Sequence, residues 1–361
     1  MDQRLRAVLL ATALALSSCS ATVPPTQAQP MLGGGPMPGS FAPLVKRVVP
    51  AVVEIVVIEG GGADAVPIPP ELRGTPAERM LRDRLRRRAV LGAGSGFIID
   101  PSGIIVTNTH VVGHANRIAV TLSDGTELPA RVIGYDELTD IAVIRVDAHR
   151  SLPAVTWGDS RSVEVGDWIM AAGNPFGVGI SVTAGIVSAR GRDIGAGPFD
   201  DFLQIDAPIN PGNSGGPTFN LQGEVIAVNT AIVSPTGGSV GIGFAIPSEE
   251  AQRIVGDLVA KGRIDRGWLG VSVQEVPGDD GGHAAVAIAG IDRTGPAARA
   301  GLRPGDVVLA VNGSRVDTTQ GLIRAVAAVA PGNSVRLTVR RSGQTMDVPV
   351  TVGRRPPEQE G

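Results

Sequence analysis

The sequence predicts a mostly β protein, and three observations carry that expectation. Short apolar runs recur at close spacing from Gly94 to Ile246, each ended by glycine, proline, serine or aspartate. Valine, alanine and glycine are abundant while aromatic residues make up only 3% of the chain, a composition suited to short strands joined by tight turns. Long helical periodicity with both ends marked occurs near residues 248–262, followed by a second, smaller set of alternating runs. Many short strands at this spacing argue for barrels or sandwiches and against repeated βαβ units.

At 361 residues the chain is long enough for two or three domains with their own cores. A net charge of -3 gives no reason to expect nucleic acid as a partner. Arg4 and Arg6, the apolar run Ala7–Leu16 and the small residues after it read as an export signal over 1–19. That run is too short for a membrane helix, which needs about 20 apolar residues. The sole cysteine, Cys19, ends Leu16-Ser17-Ser18-Cys19, which resembles a bacterial lipobox. Lipidation of Cys19 would anchor the chain to a membrane, with Ser20 resembling outer-membrane sorting; the alternative is ordinary cleavage near Ala28. Residues 20–40, rich in Pro, Gly and Gln, read as a flexible tether.

Phe41 to Val49 is a short amphipathic stretch, and Val52–Ile58 a β-rich run stopped by Gly60-Gly61-Gly62. Thr75-Pro76-Ala77-Glu78 has the form of a capping box, and Leu81 and Leu85 share one face of the short helix it starts. The arginines from Arg79 to Arg88 surround that face; they are a solvated surface or a loop for anionic lipid or a neighbouring subunit. Strands are expected at Phe97–Ile99, Ile104–Val106, Ile118–Leu122, Val132–Ile133, Ile141–Val146, Trp168–Met170, Val225–Val228 and Phe244–Ile246. Ser248 is the expected cap of the next helix, with Glu249 and Glu250 in its first turn, and Ala251, Ile254, Val255, Leu258 and Val259 at helical spacing. Lys261-Gly262 closes it. This divides a first domain, 41–250, from a connecting helix over 251–263. Residues 264–353 read as a compact β-sandwich with helices at Pro296–Ala300 and Thr319–Val329 and turns at Asn312-Gly313 and Ser342-Gly343. The tail, 354–361, is charged and expected to be disordered.

The stretch that organises the chain is Pro211-Gly212-Asn213-Ser214-Gly215-Gly216-Pro217. These are common loop residues, but glycines beside a serine also let N–H groups converge on one point in front of a nucleophile. A serine hydroxyl attacks only if a base removes its proton and an oxyanion site receives the charge. Of the four histidines, His149 lies in a polar turn, His283 among Gly and Asp, and His114 beside Asn116. His110 follows a buried strand and is either a satisfied core residue or the base. Asp140, at the start of a strand, fits the carboxylate that orients it, while Asp124, Asp136 and Asp147 look like turn residues. The order His, Asp, Ser across one many-stranded β domain is that of the chymotrypsin-like proteases.

With the motifs Thr107-Asn108-Thr109-His110-Val111-Val112, Thr139-Asp140-Ile141-Ala142-Val143, Gly173-Asn174-Pro175-Phe176-Gly177, Ser181–Ser188 and Gly241–Pro247, the stretch from Phe41 to Val352 resembles the HtrA/Deg family of envelope serine proteases. Arg266–Val271 and Gly301–Asp306 are similar to the PDZ part of that family. The resemblance implies a chymotrypsin/trypsin-like double β-barrel followed by one PDZ domain. It implies His110, Asp140 and Ser214 as a triad, the N–H groups of Gly212 and Ser214 as the oxyanion hole, and no metal or organic cofactor. The primary specificity pocket falls on Ile209, Ala231, Ile232 and Val233, whose apolar character favours cleavage after small or medium aliphatic residues in unfolded or extended polypeptide. Trp268, Leu269 and Gly270 are the expected carboxylate-binding turn for C-terminal peptides. The resemblance also implies a homotrimer built through the region near Phe41, and a role in protein quality control or stress sensing. A chaperone or scaffold working mainly through the PDZ groove is the competing class. Thr109 stands where the family usually has Asn, and the Arg79–Arg88 stretch departs from the long aromatic-rich loop of its best-known members.

Overall fold

The computed structural model of the protein describes residues 39–58, 74–76, 78, 80, 90–113, 115, 117–277 and 284–355. The export signal, Cys19, nearly all of the tether, Arg79 and Arg82 to Arg88, His114, His283 and the end of the tail lie outside the described residues. Among the described residues no helix is long and apolar enough to cross a membrane.

A first helix, α1 (Ala42–Val48), buries Leu44 and Val48. Six strands then close into an antiparallel barrel: β1 (Val52–Ile58), β2 (Val90–Asp100), β3 (Ile104–Asn108), β4 (Arg117–Thr121), β5 (Glu127–Asp136) and β6 (Ile141–Val146), in the order β1-β2-β3-β6-β5-β4. β-Branched side chains suit the pleat, and Ile55, Phe97, Ile105 and Ile144 are fully buried. Each stabilises by about 1.5–3 kcal/mol relative to exposure. Strand β3 is buried along its whole length, so the residue just after it starts from a fixed backbone. A second six-stranded barrel follows: β7 (Trp168–Gly173), β8 (Ser181–Arg192), β9 (Phe202–Ile205), β10 (Pro217–Phe219), β11 (Val225–Ile232) and β12 (Gly243–Pro247), ordered β10-β11-β12-β9-β8-β7. Ile169, Val187, Ile205, Ile209 and Ile226 fill part of it.

Helix α3 (Ser248–Lys261), numbered after a short α2 (Thr109–Val112), lies against β5 and β6 of the first barrel and β11 and β12 of the second. Ser248 is not its cap, as the sequence suggests, but its first residue. Its buried hydroxyl instead donates to the Gly158 carbonyl (2.6 Å) and accepts from the Ser160 N–H (3.0 Å), a tertiary use that outcompetes local capping. The helix ends on Gly262 at φ +70°, whose N–H donates to Leu258 O (2.8 Å).

The C-terminal unit holds a five-strand path, β14 (Val271–Pro277), β15 (Ala284–Ile291), β16 (Val307–Val311), β18 (Ser334–Arg341) and β19 (Gln344–Thr351), with β17 (Ser314–Arg315) beside β16. A small pair, β13 (Gly267–Trp268) and β20 (Gly353–Arg354), stands apart, and helices α4 (Pro296–Arg299) and α5 (Thr319–Ala327) complete the unit. Asn312-Gly313 (φ +50° and +84°) and Ser342-Gly343 (φ +49° and +81°) turn the chain in the left-handed region that two-residue hairpins require.

One turn residue of the sequence reading is something else. Asp136 ends β5, is 7% exposed, and forms a two-pronged ion pair with Arg266, 8% exposed, at the entrance to the C-terminal unit. The guanidinium also lies 4.6 Å over the Phe199 ring. From α5, Arg324 donates to the carbonyls of Pro198 and Asp200, and Gln320 to Asp193 (2.8 Å). The loop between β8 and β9 is therefore held by the C-terminal unit.

Candidate active site

His110 sits in α2, straight after the buried strand β3. Its Nδ1 lies 2.7 Å from Asp140 Oδ2, and its own backbone N–H donates to Asp140 Oδ1 (3.0 Å). An ionised carboxylate accepts only, so Nδ1 carries the proton and Nε2 is left as the acceptor. Asp140 itself adopts φ +55°, an uncommon conformation for a residue with a side chain. Its carbonyl is tied down from two sides, accepting from the Thr109 N–H (3.1 Å) and the Asn108 amide (2.8 Å). Thr109 fills the place of the expected Asn with a buried hydroxyl shared between the carbonyls of Asp136 (3.1 Å) and Ile141 (3.0 Å).

Thr230, on β11, carries no sequence signal that singles it out. Its hydroxyl donates to Asp140 Oδ2 (2.6 Å), and its carbonyl accepts from Ser214 Oγ (3.3 Å). This residue touches both ends of the constellation. Among the described residues no hydrogen bond joins Ser214 Oγ to His110, so proton transfer requires the hydroxyl to leave the Thr230 carbonyl for Nε2.

The turn around Ser214 is shaped by its glycines. Gly212 has φ +103°, and a Cβ there would lie 2.3 Å from Asn174 O. Gly215 has φ +81°, with a Cβ 2.3 Å from Ser95 O. The carbonyl oxygens set the direction of the N–H groups, because in a trans peptide the two point opposite ways. Pro211 O accepts from the Phe176 N–H (2.9 Å), which turns the Gly212 N–H away from the 174–177 turn. Asn213 O accepts from the Gly216 N–H (3.0 Å), which does the same for Ser214. Neither the Gly212 nor the Ser214 N–H has an acceptor among the described residues. Two free donors beside a serine hydroxyl can receive a developing oxyanion.

Comparison with known proteins shows the family to which the chain belongs. The trypsin-like peptidase domain family matches residues 94–228, and the PDZ domain family matches 267–352. A protein of Brucella melitensis named probable periplasmic serine endoprotease DegP-like is 44% identical over 363 residues, spanning 89% of this chain and 70% of that one. The chain belongs to the HtrA/DegP-like family of serine endoproteases. Another so named, from Halomonas elongata, is 46% identical over 82% of this chain and 62% of its own length. The solved structure of the HtrA-type protease AlgW with a decapeptide superposes at a TM-score of 0.75, with 38% identity over 88% of this chain and all of that one. A serine endoprotease from Yersinia pestis superposes at 0.70 with 33% identity.

In this HtrA-type chain the segments expected to form the specificity pocket flank the same turn. Ile209 is 2% exposed and packs with Val187, Ile205 and Ile232, whereas Val233 is half exposed. Asp206, close by in sequence, directs its carboxylate to the Ile186 N–H (2.6 Å). In the PDZ domain, Leu269 is buried on Leu322 and Val326, and Gly270 is left-handed at φ +74°. Among the described residues the Leu269 and Gly270 N–H groups have no acceptor. A cavity of about 290 Å³ opens there, lined by Trp268, Leu269 and Leu322 and, from the protease domain, by Leu138 and Phe199. A smaller cavity of about 60 Å³ lies between the Asp140 turn, Phe199 and the first turn of α3. Glu250 lines it, and burial pushes its carboxyl up to about 7 against the opposing charge of Arg253.

Proposed function

We propose that His110, Asp140 and Ser214 are the catalytic triad, with the Gly212 and Ser214 N–H groups as the oxyanion hole. His110 Nε2 takes the Ser214 proton as Oγ attacks the scissile carbonyl. Asp140 holds the imidazole and stabilises its positive charge, and the two N–H groups bind the tetrahedral oxyanion. The imidazolium then protonates the leaving amine, and water, deprotonated by the same histidine, hydrolyses the acyl-enzyme. The observation that carries this reading is the doubly hydrogen-bonded Asp140–His110 pair, from a chain segment remote from a serine turn with two unpaired donors.

The substrates are unfolded or extended polypeptides, cut after small or medium aliphatic residues. Support comes from the buried Ile209 and the apolar Ala231-Ile232-Val233 segment, which present no carboxylate to a basic side chain. The Trp268-Leu269-Gly270 turn binds C-terminal carboxylates, tethering substrate or activating the protease; Phe199 and Leu138 border the same cavity and offer a route to the barrel. The relatives named periplasmic favour that compartment. With it go the export signal, a lipid on Cys19, homotrimers and a quality-control or stress-sensing role. The domain limits we propose are 41–250 for the protease, 251–263 for the connection made mostly of α3, and 264–353 for the PDZ domain.

The test is cleavage of an unfolded protein, a folded protein and a peptide library, with and without peptides bearing free C-terminal carboxylates. Cuts after Val, Ala, Ile or Leu in the unfolded chain are expected. A marked preference for Arg or Lys would overturn the pocket assignment. Aggregation suppressed equally by wild type and Ser214→Ala, without cleavage by either, would favour the chaperone.

A further inference from the structure

Two stretches, Gly94-Ser95-Gly96 and the motif Gly173-Asn174-Pro175-Phe176-Gly177, take no part in the mechanism above. In the structure they meet behind the serine turn. Ser95, on β2 of the first barrel, is fully buried. Its N–H donates to the Ser214 carbonyl (2.8 Å), and its hydroxyl donates to the Gly212 carbonyl (2.6 Å). The same hydroxyl accepts from the Asn174 N–H (2.8 Å). Ser95 thus holds, from behind, the carbonyls of the two residues that carry the oxyanion donors; the donor N–H groups themselves belong to the preceding peptides, ending in Pro211 O and Asn213 O, so its grip reaches them through the Gly212 and Ser214 backbone.

We propose that the Ser95 hydroxyl is a positioning residue for the oxyanion hole, locking the Gly212–Asn213 peptide between the first barrel and the Asn174 turn and so fixing the Gly212 backbone from which the Pro211–Gly212 peptide directs its N–H. The inference rests on the assignment of the Gly212 and Ser214 N–H groups given above. Gly212 needs such a lock, because a glycine at φ +103° has few barriers of its own against rotation. The hydroxyl is the sole donor to the Gly212 carbonyl among the described residues. Without it, the buried Asn174 N–H and the part-buried Gly212 carbonyl are both unpaired, and rotation of the turn towards other partners becomes favourable. The site has no slack for substitutes: a Cβ on Gly173 would fall 2.8 Å from Ser95 Oγ, and one on Gly216 3.2 Å from Ser95 Cβ. Asn174 is itself anchored, its Oδ1 accepting from the Gly179 N–H (2.7 Å). Glu54 stands directly opposite Ser95 across β1 and β2, which ties the lock into the barrel wall.

The experiment compares Ser95→Ala, Ser95→Cys and Thr107→Val in the full chain. Thr107→Val removes another buried hydrogen bond to the same residue, from Thr107 Oγ1 to Ser95 O (2.7 Å), without touching Gly212. Losing one oxyanion donor outright costs on the order of 10²–10³ in kcat. Misdirecting the turn in Ser95→Ala should therefore lower kcat by about 10- to 100-fold, with KM within about threefold of wild type. A peptide boronate, which forms a tetrahedral adduct on the serine, should lose affinity by the same factor. Thr107→Val should melt earlier but keep its kcat, and Ser95→Cys, a weaker donor of similar shape, should fall between Ser95→Ala and wild type. If Ser95→Ala does not fold, the Cys variant decides by the same kcat and boronate criteria. A kcat within threefold of wild type in the decisive variant, or an equal loss in Thr107→Val, overturns the proposal. Ser214→Ala is the control for the underlying assignment: if it still cleaves, the oxyanion site is misplaced altogether; if it is dead, the Ser95 result stands by itself.

Discussion

Replacing Glu250 by glutamine should stabilise the protein at alkaline pH and do much less in acid. Glu250 lies in the first turn of α3, its side chain 18% exposed, with its carboxyl raised from 4.5 to about 7 mainly by loss of solvent. Arg253, at 4.0 Å, with Arg266 and Arg324 opposes the shift, and Asp201 adds to it. Glu137, Asp140 and Asp200 line the same cavity. A carboxyl whose folded pKa exceeds its unfolded value holds its proton better when folded. Below about pH 4.5 both states are protonated and there is no penalty. Between 4.5 and 7 the unfolded state ionises first and stability falls, and above 7 the full penalty stands. A shift of about 2.5 units corresponds to roughly 3 kcal/mol at pH 8 and roughly 1 kcal/mol at pH 5. At about 2 °C per kcal/mol for a chain of this size, Glu250→Gln should raise Tm by about 6 °C at pH 8 and about 2 °C at pH 5. Thermal melts at the two pH values check it. An equal shift at both, or a lower Tm at pH 8, would refute burial as the dominant effect.

Thr230→Val should lower kcat by about 10- to 100-fold through loss of a hydrogen bond to a charged carboxylate, with KM nearly unchanged. Steady-state kinetics check this, and Thr230→Ser should restore most of the rate. Asp136→Asn should destabilise the protein by about 3–5 kcal/mol, because Arg266 is left buried without its counter-charge. Denaturant melts test the size of that loss, and a change under about 1 kcal/mol would show that the pair contributes nothing beyond its mutual compensation.

The barrels, the helix after them and the PDZ hairpins were legible because period, turn chemistry and caps act locally. Val335, Leu337 and Val339 alternate in sequence and are buried in the structure. Asn312-Gly313 announced its turn. The members of the candidate triad could be nominated by residue type and chain order, but their contact could not. Thr230, Ser95 and the Asp136–Arg266 pair escaped because each acts across a long sequence separation: 90 residues from Thr230 to Asp140, 117 from Ser95 to Gly212, 130 from Arg266 to Asp136. Nothing in a lone serine or threonine says which remote carbonyl or carboxylate it will meet. Ser248 departs from the expected cap for the same reason, its hydroxyl being claimed by Gly158 and Ser160 rather than by its own helix.

The serine turn remains the point on which the account depends. Two features of its geometry bear on whether it is ready for catalysis: Pro211 O and Gly212 O are held by Phe176 and Ser95, while Ser214 Oγ rests on Thr230 O. The most direct test is the turnover number of Ser214→Ala on an unfolded protein, in a preparation free of other proteases and with an unchanged melting curve. A fall on the order of 10⁶ relative to wild type is predicted, and turnover near the wild-type value would contradict the assignment of Ser214 as the nucleophile.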